Sequence, residues 1–130
     1  MRHPTAIVVM ALLIGACAEG RPVPAADARA DSVAARFPSV PDSLVLTAPD
    51  GIEVWFTHAR RGIDSAGGTC LERGLEIRRE GTRTLVPLLM TGTAPELRND
   101  STFRARIWLN CRPGNTYDVD LRTGRPTRVQ

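Results

Sequence analysis

The sequence predicts a small all-β domain, an antiparallel sandwich or partly open barrel of six or seven short strands with one disulfide. Apolar and polar residues alternate over most of the chain from Ser43 onward, which is the period of a half-buried strand. Turn-forming residues interrupt this alternation at short intervals, and no segment there has the spacing of a core helix. Two cysteines, Cys70 and Cys111, lie in the same region and can join its strands.

The first strands form a predicted hairpin. Leu44 and Leu46 alternate with polar neighbours before the turn sequence Pro49-Asp50-Gly51, and a second alternation through Val54 and Phe56 follows it. Proline presets the first turn position and glycine accepts the left-handed one. The pattern predicts that Leu46 pairs with Val54 and that Leu44 pairs with Phe56.

A second hairpin is predicted in the middle of the domain. One strand begins at Leu75 and Ile77, Glu80-Gly81 forms its turn, and residues 84–90 return. Pro87 removes a backbone donor from the returning strand, so we expect that strand to lie at a sheet edge or to be bulged. Two longer connections are predicted, over residues 59–69 and 91–101, and loops of this length often carry function.

The last hairpin has the clearest alternation. Its first strand directs one set of residues inward: Phe103, Ala105, Ile107, Leu109 and Cys111. A predicted loop over residues 112–116 places Cys111 opposite Tyr117, Leu109 opposite Val119 and Ile107 opposite Leu121. On the outer face, Trp108 then faces Asp120, and a last short strand follows over residues 127–129.

The N-terminal segment predicts export and a lipid anchor. Arg2 and His3 precede the apolar residues 6–14, which are too few to cross a bilayer, and Ile14-Gly15-Ala16-Cys17 follows. This segment resembles a bacterial lipoprotein signal peptide with its lipobox. The resemblance covers residues 1–17 and implies removal of residues 1–16, acylation of Cys17 and a lipid-anchored protein of the cell envelope. The alanine after the cysteine implies sorting to the outer membrane.

An ordinary signal-peptidase cut after Ala16-Cys17-Ala18 is the alternative, and it predicts a soluble secreted protein without lipid. Residues 17–42 are rich in proline and alanine, so they are expected to form a tether between the membrane and the folded domain at 43–130. Export also explains the cysteines. Because Cys17 is acylated or removed, Cys70 and Cys111 remain as a pair, and an oxidising compartment favours their disulfide.

The composition argues against nucleic acid as a partner and against a zinc site. All 17 basic residues are arginines, and 14 acids balance them to a formal charge of +3, so no strong field favours nucleic acid. We expect no cofactor. A zinc site is also not expected, because the mature chain offers His58 as its one histidine beside the cysteine pair.

Two candidate binding surfaces stand out. Four residues share the predicted outer face of the last hairpin, where they could bind an anionic envelope component or protein: Arg104, Arg106, Trp108 and Arg122. Trp55 lies opposite the inward residues of its strand, so it is either covered by the tether or a loop, or it is a contact site. The alternative for the arginine surface is a solvent-exposed sheet face that binds nothing.

Catalysis is the competing function class. His58 precedes Asp64 and Ser65 in the predicted 59–69 connection, a composition that would suit a small hydrolase. The chain has no Gly-x-Ser-x-Gly motif. His58 also follows the alternation of the inward residues of its strand, which predicts a structural position at the rim of the core. The sequence therefore favours a binding or scaffolding module in the envelope over an enzyme.

Overall fold

A computed structural model describes residues 36–130, which form two open antiparallel sheets of four strands each. The first sheet has the order β1 (Ser43–Thr47), β2 (Glu53–Ile63), β3 (Thr69–Arg79) and β4 (Thr82–Thr91). The second has the order β5 (Glu96–Asn99), β6 (Thr102–Leu109), β7 (Arg112–Asp120) and β8 (Pro126–Arg128). The all-β class is confirmed, with eight strands rather than six or seven. The predicted signal peptide, Cys17 and most of the tether lie outside the described residues.

The β1–β2 hairpin has the predicted turn and half of the predicted register. Asp50 and Gly51 adopt left-handed φ values of +61° and +68° in a short 3-10 turn. Leu46 pairs with Val54 as expected. The prediction for Leu44 was wrong, since an irregularity between Leu44 and Leu46 places Leu44 opposite Trp55.

The connection predicted over residues 59–69 is mostly strand. β2 continues to Ile63 and β3 begins at Thr69, so the turn comprises residues 64–68. Asp64 holds this turn, because its Oδ1 accepts hydrogen bonds of 2.8 Å from the N–H groups of Ala66 and Gly68. The arginine- and glycine-rich residues 60–62 lack apolar alternation, yet their backbone groups still pair with β3.

A bulge in β2 reverses the side of the sheet that successive residues face. Phe56 pairs with Leu75 and Ala59 pairs with Arg73, so two residues of β2 oppose Gly74. Ala59 is consequently buried while His58 is exposed. The expected inward position of His58 was therefore wrong.

β4 is an edge strand and is bulged, as Pro87 predicted. Leu85 opposes Glu76 and Met90 opposes Gly74, so the four residues between them on β4 face a single residue of β3. Val86 and Leu89 are buried, and Pro87 and Leu88 between them are exposed. The Glu80-Gly81 turn is confirmed, with φ values of +46° and +77°.

The β6–β7 hairpin turns earlier than predicted. Asn110 and Cys111 form the turn, with φ values of +50° and +65°, and Arg112 already belongs to β7. Phe103 therefore pairs with Val119 and Ala105 with Tyr117, and the predicted register through Cys111 was wrong. Pro113 is tolerated within β7 because β8 pairs with residues 117–119 alone and leaves this end without a second neighbour.

The inner faces of the two sheets enclose the core. It consists of buried side chains from both sheets: Ala48, Ile52, Val54, Leu75, Ile77, Val86, Leu89, Phe103, Ala105, Val119 and Leu121. The predicted Cys70–Cys111 disulfide is present, with the two Cα atoms 5.5 Å apart. It joins β3 to the β6–β7 turn, because Cys111 lies in that turn and not on a strand as predicted.

No helix within residues 36–130 has the length and apolar composition to cross a membrane.

Candidate binding groove

A groove of about 390 Å³ lies between the segment that leads into β5 and the adjoining face of β6 and β7. Its walls combine a half-buried indole, two arginines, a carboxylate and small apolar groups: Thr93, Ala94, Glu96, Arg104, Ala105, Arg106, Trp108, Pro113 and Thr116. Three of the four residues predicted for the binding surface, Arg104, Arg106 and Trp108, line it. Glu96 and the 93–94 segment were missed, because the sequence alone did not place that segment against the last hairpin.

Arg104 is held in an ion pair. Its Nε and Nη2 atoms donate bonds of 2.7 Å and 2.9 Å to the two carboxylate oxygens of Asp118, its register partner on β7. The hydrogen bond from Arg104 holds the pKa of the Asp118 carboxyl below its ordinary value, and the same bond raises the pKa of Arg104. Arg104 therefore forms a fixed wall of the groove.

Arg106 is the more available cation of the groove. It is exposed, and within residues 36–130 the structure gives it one long hydrogen bond, 3.4 Å from Nε to Thr116 Oγ1. Its guanidinium donors are thus largely free to bind another acceptor. Glu96, on the β5 side, pairs in register with Arg104, not with Arg106.

Trp108 rests on a glycine. A Cβ placed on Gly92 would lie 2.6 Å from Trp108 Cε3, so the absence of a side chain there lets the indole pack onto the backbone. Trp108 lies opposite Pro113, which corrects the predicted position opposite Asp120. Its Nε1–H is buried and has no acceptor among the described residues.

Trp55 belongs to a different surface. It lies on β2 of the first sheet, where the Arg78 guanidinium stacks 4.3 Å from the centroid of the Trp55 ring. The Trp55 Nε1–H donates to Glu53 over 2.8 Å. Arg78 also pairs with Glu76 and with Asp42, at the end of the predicted tether. The ring is half-buried beneath this ion-pair cluster and is not part of the groove.

The residues of the predicted hydrolase site are separated. His58 lies over Gly74, where an added Cβ would come 2.2 Å from its Cε1 atom. Asp64 and Ser65 lie beyond the end of the strand, roughly 16 Å along β2, and Ser65 Oγ accepts a bond of 2.8 Å from Arg112. A depression of about 320 Å³ does bring His58 near Asp42 and Ser39, but the Asp42 carboxylate is engaged by Arg78.

A buried carboxylate near the disulfide was also missed by the sequence reasoning. Glu72 on β3 is fully buried, and its Oε2 accepts from Arg60 Nε over 2.9 Å. Its Oε1 accepts from the Cys111 N–H over 3.0 Å, beside the close backbone of Gly62. All the partners of Glu72 lie within the fold, so this cluster connects the sheets rather than forming an open site.

Within residues 36–130, no three His, Cys, Asp or Glu side chains converge in a metal-binding arrangement. Comparisons with protein-family models, curated proteins and solved structures found no match for the chain. The candidate function therefore depends on the groove itself.

Proposed function

We propose that the chain is a lipid-anchored protein of the bacterial envelope whose β domain binds an anionic ligand in the groove. The observation that carries the ligand class is the pairing of Arg106 with the indole of Trp108 in one groove. An exposed guanidinium beside a half-buried ring suits a molecule with one anionic group and a flat or apolar body.

The other charges of the groove restrict the ligand further. Asp118 already pairs with Arg104, and the Glu96 carboxylate lines the β5 wall. A polyanion such as nucleic acid would meet Glu96 as well as Arg106, so the groove favours a single carboxylate, phosphate or sulfonate placed at Arg106.

The unpaired Trp108 donor supports a binding role for the indole. A buried donor without an acceptor costs about 1–3 kcal/mol, so a ligand that supplied an acceptor to Nε1–H would gain affinity. The indole packs closely on Gly92, so the ring is held in place at the wall of the groove. A ligand in contact with this ring would change its fluorescence.

The anchor follows from the lipobox sequence Ile14-Gly15-Ala16-Cys17 and from the proline- and alanine-rich residues that follow it. A single acyl chain binds membranes reversibly, so the multiple acylation typical of this signal would give a stable anchor. Intact-mass measurement on protein from the membrane fraction tests this part. A chain beginning at Cys17 with acyl additions supports it, and a chain beginning at Glu19 without lipid contradicts it.

The groove is tested with 1-anilinonaphthalene-8-sulfonate, which has one anionic group and an aromatic body. We expect Arg106→Gln to weaken binding about tenfold, the value of one lost hydrogen bond to a charged group. Trp108→Phe should weaken binding and remove the part of the change in tryptophan fluorescence that comes from Trp108, leaving the part that comes from Trp55.

Arg83→Gln is the matched control, because Arg83 is an exposed arginine of the other sheet. It should leave the affinity unchanged. Equal affinities for the unmodified protein and the Arg106→Gln variant, or equal losses with both arginine variants, would contradict the proposed groove.

A further inference from the structure

The bulge of β4 holds a leucine side chain in solvent. Leu88 is 93% exposed and has a φ of +61°, a left-handed conformation that a leucine rarely adopts. Val86 and Leu89 on either side are buried in the core, so they fix the segment that carries Leu88 outward. The fold thus accepts backbone strain to present an apolar side chain, and strain of this kind is characteristic of functional sites.

Two further apolar residues extend this surface. Leu85 is about half exposed, and Pro87 is exposed beside Leu88. We refer to Leu85, Pro87 and Leu88 as the leucine tip. It protrudes from an edge strand instead of lining a groove, so it fits a soft or deformable partner better than a convex protein surface.

Two arginines lie on a turn that contacts β4 where the leucine tip begins. A Cβ placed on Gly124 would lie 2.8 Å from Thr84 Cγ2 and 3.8 Å from both Ile77 Cδ1 and the Leu85 carbonyl oxygen, so the β7–β8 turn packs on the core side of β4 where the tip begins. Arg122 and Arg125 in this turn are exposed. Arg122 also borders a depression that contains Arg79 and Thr84.

We propose that the leucine tip is a membrane-contact site, with its leucines in the headgroup region of a bilayer and Arg122 and Arg125 against anionic headgroups. Exposed apolar side chains with basic residues on a neighbouring turn can bind such an interface. This inference rests on the proposed lipid anchor. The 25 residues 18–42 can extend at most about 90 Å, so an anchored domain stays near the bilayer at a high effective concentration.

A second copy of this chain is the other occupant that an exposed edge strand could attract. Pro87 removes a backbone donor from β4, and the bulge interrupts its ladder at Leu88. Both features oppose strand pairing between copies, while neither opposes contact with a lipid surface. The membrane is therefore the favoured partner.

The test uses the full-length protein with a fluorescent nitrobenzoxadiazole label on a single introduced cysteine, Leu88→Cys. The matched control is Leu109→Cys, at another leucine that is well exposed but lies beside the disulfide-linked turn. Each protein is measured with vesicles of phosphatidylcholine, alone or mixed with phosphatidylglycerol. We expect the label at position 88 to shift to shorter wavelength and to be quenched by brominated lipids, more strongly with phosphatidylglycerol, while the label at 109 does neither.

Three results would overturn the proposal. The first is an emission at position 88 that is the same with and without vesicles. The second is an equal response at positions 88 and 109. The third is a shift at position 88 that occurs in concentrated protein without vesicles, which would identify a second copy of the chain as the partner.

Acylation of Cys17 is measured separately from the intact mass of the protein. Protein without acyl chains, with Cys17→Ser to avoid labelling that thiol, is mixed with the same vesicles. An unshifted label at 88 on acylated protein would defeat the tip and leave the anchor standing. A vesicle-dependent shift on unacylated protein would support the tip whether or not intact mass shows the anchor. Arg122→Gln with Arg125→Gln should remove the preference for phosphatidylglycerol.

Discussion

Glu72 shows how much one side chain can contribute to a small core. It is a fully buried carboxylate in the middle of β3, where its two oxygens accept from Arg60 and from the Cys111 backbone. Burial of a charge is unfavourable unless it is paired and hydrogen-bonded. The two partners therefore make Glu72 a fixed link between β3 and the β6–β7 turn.

We predict that Glu72→Gln lowers the free energy of unfolding by about 3 kcal/mol, the lower end for a broken buried pair. The lower end applies because the Arg60 side chain is 28% exposed and keeps part of its hydration. Urea denaturation measures the change. Glu80→Gln, an exposed residue of the β3–β4 turn, is the control and should change stability by less than about 0.5 kcal/mol. A similar small change for Glu72→Gln would contradict the role assigned to its ion pair.

The candidate residues that sequence analysis singled out are those whose chemistry is visible without the fold. Arg104, Arg106 and Trp108 were recognised as a polar and aromatic set on one strand, and the groove contains all three. Trp55 was recognised too, but its cover by Arg78 depends on pairing between strands. Glu72 gave no signal, because an acidic residue beside an arginine in a sequence is normally solvent-exposed.

At the scale of strands and turns, prediction succeeded where one turn signal had no rival. Pro49-Asp50-Gly51 and Glu80-Gly81 were the turn sequences of their regions, and both turns form. In the last hairpin, Pro113-Gly114 was the stronger local signal, yet the chain turns at Asn110-Cys111. The disulfide and the Glu72 bond act on Cys111 from another strand, so this choice depends on contacts that are distant in sequence.

The β4 bulge gives a prediction at the element scale. Because Leu88 is exposed and has a positive φ, Leu88→Asn should leave the free energy of unfolding unchanged or raise it by up to about 1 kcal/mol, since asparagine tolerates that conformation better. Leu89→Ala, at the adjacent buried position, should lower it by about 2–3 kcal/mol through the cavity it leaves. Chemical denaturation of both variants checks the contrast. A loss of stability with Leu88→Asn that equals the loss with Leu89→Ala would show that Leu88 packs on the fold.

At the scale of the whole molecule, the disulfide restrains two sheets that are otherwise open at their edges. It spans a sequence separation of 41 residues and includes β4, β5 and β6 in the loop that it closes. We predict that Cys70→Ala with Cys111→Ala lowers the free energy of unfolding by about 4 kcal/mol, following the loop-entropy estimate. Thermal and urea unfolding measure it, with unmodified protein under reducing conditions as the parallel sample. Stability that is independent of reductant would contradict this restraint.

The acid sensitivity of the molecule follows from carboxylates at three separate places. Hydrogen bonds lower the pKa of Asp42 through Arg78, of Asp118 through Arg104, and of Asp120 through the Thr123 and Arg122 backbone in the β7–β8 turn. A carboxyl with a pKa lower in the native state than in the unfolded chain stabilises the fold above the unfolded pKa of about 3.9. That contribution disappears as pH falls through the native pKa values, because the native state must then accept the protons that the unfolded state already holds.

The urea midpoint should therefore change little between about pH 7 and pH 5 and decrease below about pH 4. Asp118→Asn with Asp120→Asn should lower the midpoint at pH 7 and flatten the acid limb, since both groups lose their native-state preference for the charged form. Asp100→Asn, at the exposed β5–β6 turn, is the control and should retain the acid limb of the unmodified protein. An acid limb that is equally steep in the double variant would mean that other groups control acid unfolding. A flattened limb would instead identify two parts of the second sheet as those that acid weakens first: the ion pair that borders the groove and the β7–β8 turn that contacts β4.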